Sequence, residues 1–140
     1  MEAIDDRPSQ PIDIGGVSWD GWRLGADDVY VLDGRSHSCC DLLVYIPKHR
    51  LLCMADTTFP LFPRWADSSR DRTLDVLRKS LAMTQAGSVA LLADGHGDRC
   101  YRGASEISAL LEAALDDHMA FEEALAEVFA TADGFTPGEV

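Results

Sequence analysis

The stretch Leu42-Leu43-Val44-Tyr45-Ile46-Pro47-Lys48-His49-Arg50-Leu51-Leu52-Cys53-Met54-Ala55-Asp56 decides how the rest of the chain is read. Two apolar runs, 42–46 and 51–55, flank Pro47-Lys48-His49-Arg50, and a connection that short joins antiparallel neighbours. A hairpin is therefore expected. Both runs are apolar at nearly every position instead of every second one, which predicts a sheet covered on both faces.

Working outward, Val29-Tyr30-Val31-Leu32 reads as another strand that ends at Asp33-Gly34. Earlier, β-prone residues on both sides of Asp20-Gly21 predict a hairpin within Val17 to Leu24. Residues 1–16, with Pro8 and Pro11 among acidic side chains, read as a loose lead-in. On the other side, Ser68 and Asp71 resemble a capping box, Leu74, Leu77 and Leu81 share a helix face, and Gly87 marks the end. Val89 to Ala93 is a buried strand that runs into Asp94-Gly95-His96-Gly97. Ile107, Leu110, Leu111, Ala114 and Leu115 form one helical stripe, and Phe121, Leu125, Val128 and Phe129 form a second that stops at Gly134. Thr136-Pro137-Gly138-Glu139 has the signature of a helix start, so 136–140 are expected to begin a helix that is cut. The order is α/β: a mostly antiparallel sheet with helices packed on it.

At 140 residues, 46% of them apolar, the chain has material for one core. Its net charge is −12, and beyond Arg102 there are 9 acidic residues and no lysine or arginine. That tail is read as solvated helix faces. No cluster of basic residues offers a surface to phosphate backbones or anionic lipid, so neither nucleic acid nor membrane is an expected partner. No apolar run reaches the roughly 18–20 residues of a membrane span, and the first residues lack the layout of a secretory signal. Cys39, Cys40, Cys53 and Cys100 show no C-x-x-C spacing, which points to reduced thiols in a cytoplasm.

Three segments put a candidate ligand where a strand meets a loop. His37 precedes the Leu42 strand, Asp56 ends the 51–55 run, and His96 follows Leu91-Leu92-Ala93 between two glycines. Strand ends are rigid and the loops they feed are accessible, so the sheet can aim such residues at one point. Each alone has a plainer role as a surface, core or turn residue. Other residues have their own readings. His37, Cys40, His96 and Cys100 could form a mononuclear zinc set, and Cys39-Cys40 could be redox-active or plain thiols. Cys53 belongs to the core, and His49 and His118 to the surface. Trp19 and Trp22 are core candidates. Phe62 and Trp65, in the Pro-bounded loop after Asp56, could equally pack or touch substrate.

Taken in order, His37-Ser38-Cys39-Cys40-Asp41-Leu42, then Ala55-Asp56, then Gly95-His96-Gly97 resemble the second half of the metallo-β-lactamase superfamily of metal-dependent hydrolases. The resemblance runs over about residues 25–135. It implies half of an αββα sandwich across 17–135, and a centre of two Zn²⁺ ions in a complete member. In it His37 would be a ligand of the first metal, Asp56 the bridging and catalytic carboxylate, and His96 a ligand of the second. The substrate would be a small-molecule ester, lactone, thioester or phosphoester. The sequence departs from the family at Arg35-Ser36 and Cys39-Cys40, each where Pro-Gly is usual, and at Ala55, where a glycine is usual. The family's His-x-His-x-Asp-His has no counterpart, because no two of His37, His49, His96 and His118 are separated by one residue. The resemblance therefore implies a partial or truncated hydrolase, inactive alone, with apolar sheet surface that invites self-association or pairing with a missing N-terminal half. The alternative is a degenerate, non-catalytic domain that acts through protein–protein interaction.

Overall fold

The computed structural model describes residues 9–25, 28–58, 68–95 and 99–131. His96, the aromatic loop with Phe62 and Trp65, and 136–140 lie outside the described residues. Seven strands form one sheet in chain order: β1 (Gln10–Ile14), β2 (Val17–Leu24), β3 (Val29–Asp33), β4 (Leu42–Ile46), β5 (Leu51–Cys53), β6 (Leu91–Ala93) and β7 (Cys100–Arg102). Two helices complete the described fold, α1 (Arg70–Gln85) between β5 and β6, and α2 (Ala104–Thr131) after β7. Every neighbouring pair is antiparallel except β5–β6. That exception follows from the helix: a parallel pair needs a long crossover, and α1 provides it. The fold is α/β with a mostly antiparallel sheet, as the sequence predicts.

The β4–β5 hairpin is present, with Tyr45 opposite Leu52 and a single 3-10 turn, Pro47–His49, between the strands. The hairpin predicted at Asp20-Gly21 is not. Residues 17–24 are one unbroken strand, and the turn lies before it at Gly15-Gly16, with φ of +64° and +84°. Two consecutive positive φ values are what a two-residue type I′ loop requires, and glycine meets that requirement without steric cost. Gly21 instead faces a close approach of backbone: a Cβ there would stand 2.4 Å from the Val31 carbonyl oxygen. Part of the expected lead-in is consequently strand β1, which pairs with β2 from Gln10↔Gly21 to Ile14↔Val17.

Helix α1 starts one residue later than its capping pattern suggests. Ser69 is the N-cap and accepts from the Arg72 amide at 3.4 Å, which frees Ser68 for a contact described below. Its end is a Schellman closure, in which Ser88 N donates to the Met83 carbonyl at 2.9 Å and Gly87 N to that of Thr84 at 3.0 Å. The two C-terminal stripes belong to one helix of 28 residues. Asp116-Asp117-His118 contains no glycine or proline, so nothing interrupts the ladder. His118, expected at the surface, is buried. Burial lowers its pKa, the Arg70 charge lowers it further, and Asp117 opposes both.

Cross-strand register sorts the sheet into two faces. Tyr30, Tyr45, Leu52, Leu92 and Tyr101 form a row across five strands, and the middle three are buried. With Trp19, Leu32, Leu43 and Met54 they pack against Leu77 and Met83 of α1 and Ile107 and Leu111 of α2. Polar tips find partners there too: Tyr45 Oη donates to the Ser88 carbonyl at 2.8 Å, and Trp19 Nε1 lies 3.2 Å from Met83 Sδ. The neighbouring row, Trp22, Val31, Val44, Cys53, Ala93 and Cys100, points to the opposite side. None of the six belongs to the core cluster. Only Val31 is buried, while Trp22, Val44, Cys53 and Ala93 are half-buried, as are Ile46, Leu51 and Leu91 beside them. The expectation of cover on both faces is therefore not met among the described residues. Among the described residues the second face is apolar and half-buried, with no helix packed on it.

Candidate functional site

The register also fixes where the candidate residues sit. β4 begins, and β5 and β6 end, at the same edge of the sheet, because β4 is antiparallel to β5 and β5 is parallel to β6. The loop that carries His37, the turn that carries Asp56 and the segment Asp94-Gly95 therefore leave three adjacent strands at one end. Three bonds tie them to one another and to α1. Ser36 Oγ and Thr57 Oγ1 are 3.3 Å apart and buried, joining the residue before His37 to the residue after Asp56. Ser68 Oγ donates to the His37 carbonyl at 2.5 Å, and Ser69 N to the Ser36 carbonyl at 2.8 Å, so the N-terminus of α1 clamps the His37 loop.

Asp56 is positioned by a tight backbone arrangement. Met54 N donates to the Ala93 carbonyl at 3.0 Å, and Gly95 N to that of Ala55 at 2.7 Å, extending the β5–β6 pairing into the turn. Ala55 is held at φ +46°. A Cβ on Gly95 would lie 2.6 Å from the Ala55 carbonyl oxygen and 2.8 Å from Asp56 Oδ1, so only glycine fits against that carboxylate. His96 follows this residue directly. Thr58 Oγ1 is buried with no hydrogen-bond partner. No sequence pattern pointed to Thr57 or Thr58, and Ser68 and Ser36 stood out only in a capping pattern and a family departure, because isolated serines and threonines carry no period or spacing.

The electrostatics at this edge centre on Asp33 and Arg35. Arg35 hydrogen-bonds the Asp33 carboxylate through its side chain and its backbone amide, and this holds the Asp33 pKa below its ordinary value and raises that of Arg35. Arg35 stands at one of the family departures, where it closes the end of β3. On the open face, burial raises the Cys53 thiol pKa, with Cys100 adding to the effect. Two clefts, of about 590 and 400 Å³, lie over β1–β3 and between β2 and α1, and neither is lined by His37 or Asp56. Among the described residues no group of three or more His, Cys, Asp or Glu side chains could hold a metal ion.

Solved structures that resemble this fold are consistent in kind. DIM-1 metallo-β-lactamase superposes with a TM-score of 0.53 at 15% identity, over 72% of this chain and 45% of that one. The inverting sec-alkylsulfatase Pisa1 from Pseudomonas sp. gives 0.57 at 16% identity, over 94% and 22%. A metallo-β-lactamase family protein from Thermus thermophilus gives 0.54 at 17% identity, over 87% and 37%. The chain carries part of the metallo-β-lactamase fold. At these identities the likeness is one of fold, and the chain spans less than half the length of each structure. No protein-family model and no curated protein matches the sequence. Within the metallo-β-lactamase fold, the loops after the strand ends are those that the sequence resemblance assigns to metal ligands. His37 and Asp56 lie on two of these, and Asp94-Gly95 begins the third.

No described helix is long and apolar enough to cross a membrane. Proteins of this fold typically hold Zn²⁺, and among the described residues the candidate donors meet only part of its need. His37 and Asp56 are two, and a catalytic zinc generally takes three protein ligands. The described residues therefore offer at most part of a metal centre.

Proposed function

We propose that the chain supplies the C-terminal half of a metal-dependent hydrolase with the metallo-β-lactamase fold, and that His37, Asp56 and His96 are its share of the ligands. The observation that carries this reading is that the His37 loop, the Asp56 turn and the Asp94-Gly95 segment adjoin β4, β5 and β6 at one end of the sheet, pinned by the Ser36–Thr57 hydrogen bond and by Gly95 against Asp56. Asp56 would be the bridging carboxylate. A bound Zn²⁺ would lower the pKa of its water to about 7, supplying hydroxide for an ester, lactone, thioester or phosphoester. With the His-x-His-x-Asp-His ligands absent, the chain alone is inactive. An N-terminal half that carries them would also cover the open row from Trp22 to Ala93. The working compartment is the cytoplasm, where the four free cysteines stay reduced.

The test is zinc titration of the purified chain with metal analysis, alongside hydrolysis of a chromogenic ester. Less than one tightly held zinc per chain and no hydrolysis above background is the expected result. Two tightly held zincs together with hydrolysis overturns it. The open face also favours a second reading, a non-catalytic domain that uses the same surface to pair with another protein. Co-expression with a segment encoded beside this chain that bears His-x-His-x-Asp-His separates the two. Zinc uptake by the pair supports the hydrolase, and pairing without zinc supports the interaction domain.

A further inference from the structure

The turn after His37 holds two thiols that the proposed centre does not use. Cys39 and Cys40 are both exposed, and their sulfur atoms are 3.4 Å apart. The turn around them is braced. Ser38 donates to the Asp41 carboxylate from its amide at 2.7 Å and from its hydroxyl at 2.8 Å, and Cys40 N donates to Ser38 Oγ at 3.3 Å. Gly34 N to the Asp41 carbonyl, at 3.2 Å, closes the base of the loop. Two donors held side by side before a ligand arrives lose less freedom on binding than two donors on a free chain.

The sulfur separation lets both thiols bond one atom. With bonds of about 2.3 Å, two sulfurs 3.4 Å apart subtend roughly 95° at the atom they share. A tetrahedral ion at that bond length needs about 3.8 Å and a linear one about 4.6 Å. A disulfide needs about 2.05 Å, across a strained adjacent pair. Among the described residues no further donors complete a three-ligand cluster. A pyramidal trivalent centre is served: it takes two thiolates near a right angle and brings its own third substituent.

We propose that Cys39 and Cys40 form a chelating site for a trivalent arsenical. With an arsenoxide, two S–As bonds form and the arsenic–oxygen double bond breaks. The two thiol protons leave with that oxygen as water. No atom changes oxidation state, so no oxidant or reductant is needed.

The experiment is titration of the intact chain with phenylarsine oxide under a phosphine reductant, read by intact mass and by counting alkylatable thiols. One adduct per chain and the loss of two titratable thiols are expected. The same result is expected for the double variant Cys53→Ser/Cys100→Ser. Either Cys39→Ser or Cys40→Ser removes the chelate and weakens binding by at least about 100-fold, because the second bond is then no longer intramolecular. Both positions are exposed, so the serine variants keep the fold, which circular dichroism checks. An absent adduct, an adduct that survives Cys39→Ser or Cys40→Ser at full affinity, or one lost in Cys53→Ser/Cys100→Ser overturns the proposal.

Discussion

Ala55 occupies the left-handed region at φ +46°, one residue before Asp56, where the family's usual residue is glycine. For an L-residue with a Cβ this conformation costs roughly 1–2 kcal/mol. The chain cannot relax out of it without breaking the 2.7 Å bond from Gly95 N to the Ala55 carbonyl. Ala55→Gly removes that cost. Against it stands the extra freedom of glycine in the unfolded chain, about 0.4–1 kcal/mol, and a few tenths for a half-buried methyl. The balance is a stabilisation of about 0.5 kcal/mol. Ala55→Val goes the other way, because a β-branched side chain fits the left-handed region still less well, and a loss of at least about 1 kcal/mol is expected. Urea unfolding followed by circular dichroism measures both. With a slope near 2 kcal/mol per molar, the glycine variant shifts the midpoint up by about 0.25 M and the valine variant down by about 0.5 M or more. A glycine variant less stable than the wild type by 1 kcal/mol, or a valine variant equal to it, would refute the strained-turn argument.

Gly95→Ala forces a Cβ onto the Ala55 backbone and should cost about 1–3 kcal/mol in the same assay; an unchanged midpoint would mean that Gly95 is not seated against Asp56. Ser36→Ala breaks the buried bond to Thr57 and leaves that hydroxyl unsatisfied, costing about 1–3 kcal/mol, whereas Thr58→Val removes a hydroxyl that has no partner and should be neutral or stabilising by about 1 kcal/mol. Both signs are read from thermal melts. His118 has a folded pKa below its usual value, so below about pH 6.5 the unfolded chain takes up the proton first. Stability is then full above that pH and falls as pH drops from 6.5 towards the folded pKa, and His118→Met should flatten the melting temperature against pH over 7 to 5.

The parts of the fold that could be read from sequence are those whose signals are local. β3, β4 and β5 were legible because short polar connections separate dense apolar runs. β1 was not: Gln10-Pro11-Ile12-Asp13-Ile14 is a half-exposed edge strand with a proline, and what defines it is the partner β2. Asp20-Gly21 misled for a physical reason, since a glycine can mark a close backbone approach as well as a turn, and spacing does not separate the two. β7 has three residues, and only pairing with β6 defines it. In the candidate site, His37 and Asp56 stood out because few residue types do their chemistry and both fall at strand ends. The Ser36–Thr57 and Ser68–His37 contacts that hold those loops join residues 21 and 31 apart, a separation no local pattern encodes.

The open sheet face and the partial ligand set bear on each other. Each row of the sheet alternates with its neighbour, so strands that bury Tyr45, Leu52 and Leu92 under the helices must turn Val44, Cys53 and Ala93 outward. Cys53 and Ala93 lie on the same short strands whose ends launch the Asp56 turn and the Gly95 segment, and Val44 on the strand that follows the His37 loop. Under the proposed function, a partner that covers this face would therefore be held close to the loops that would need further ligands. Under the proposed function, pairing and zinc binding are then linked equilibria: zinc that requires donors from both halves tightens their association, and association tightens zinc by the same factor. An interaction domain with no metal role lacks that reciprocity. Its pairing rests on the apolar face alone, and is indifferent to zinc and to replacement of His37 or Asp56.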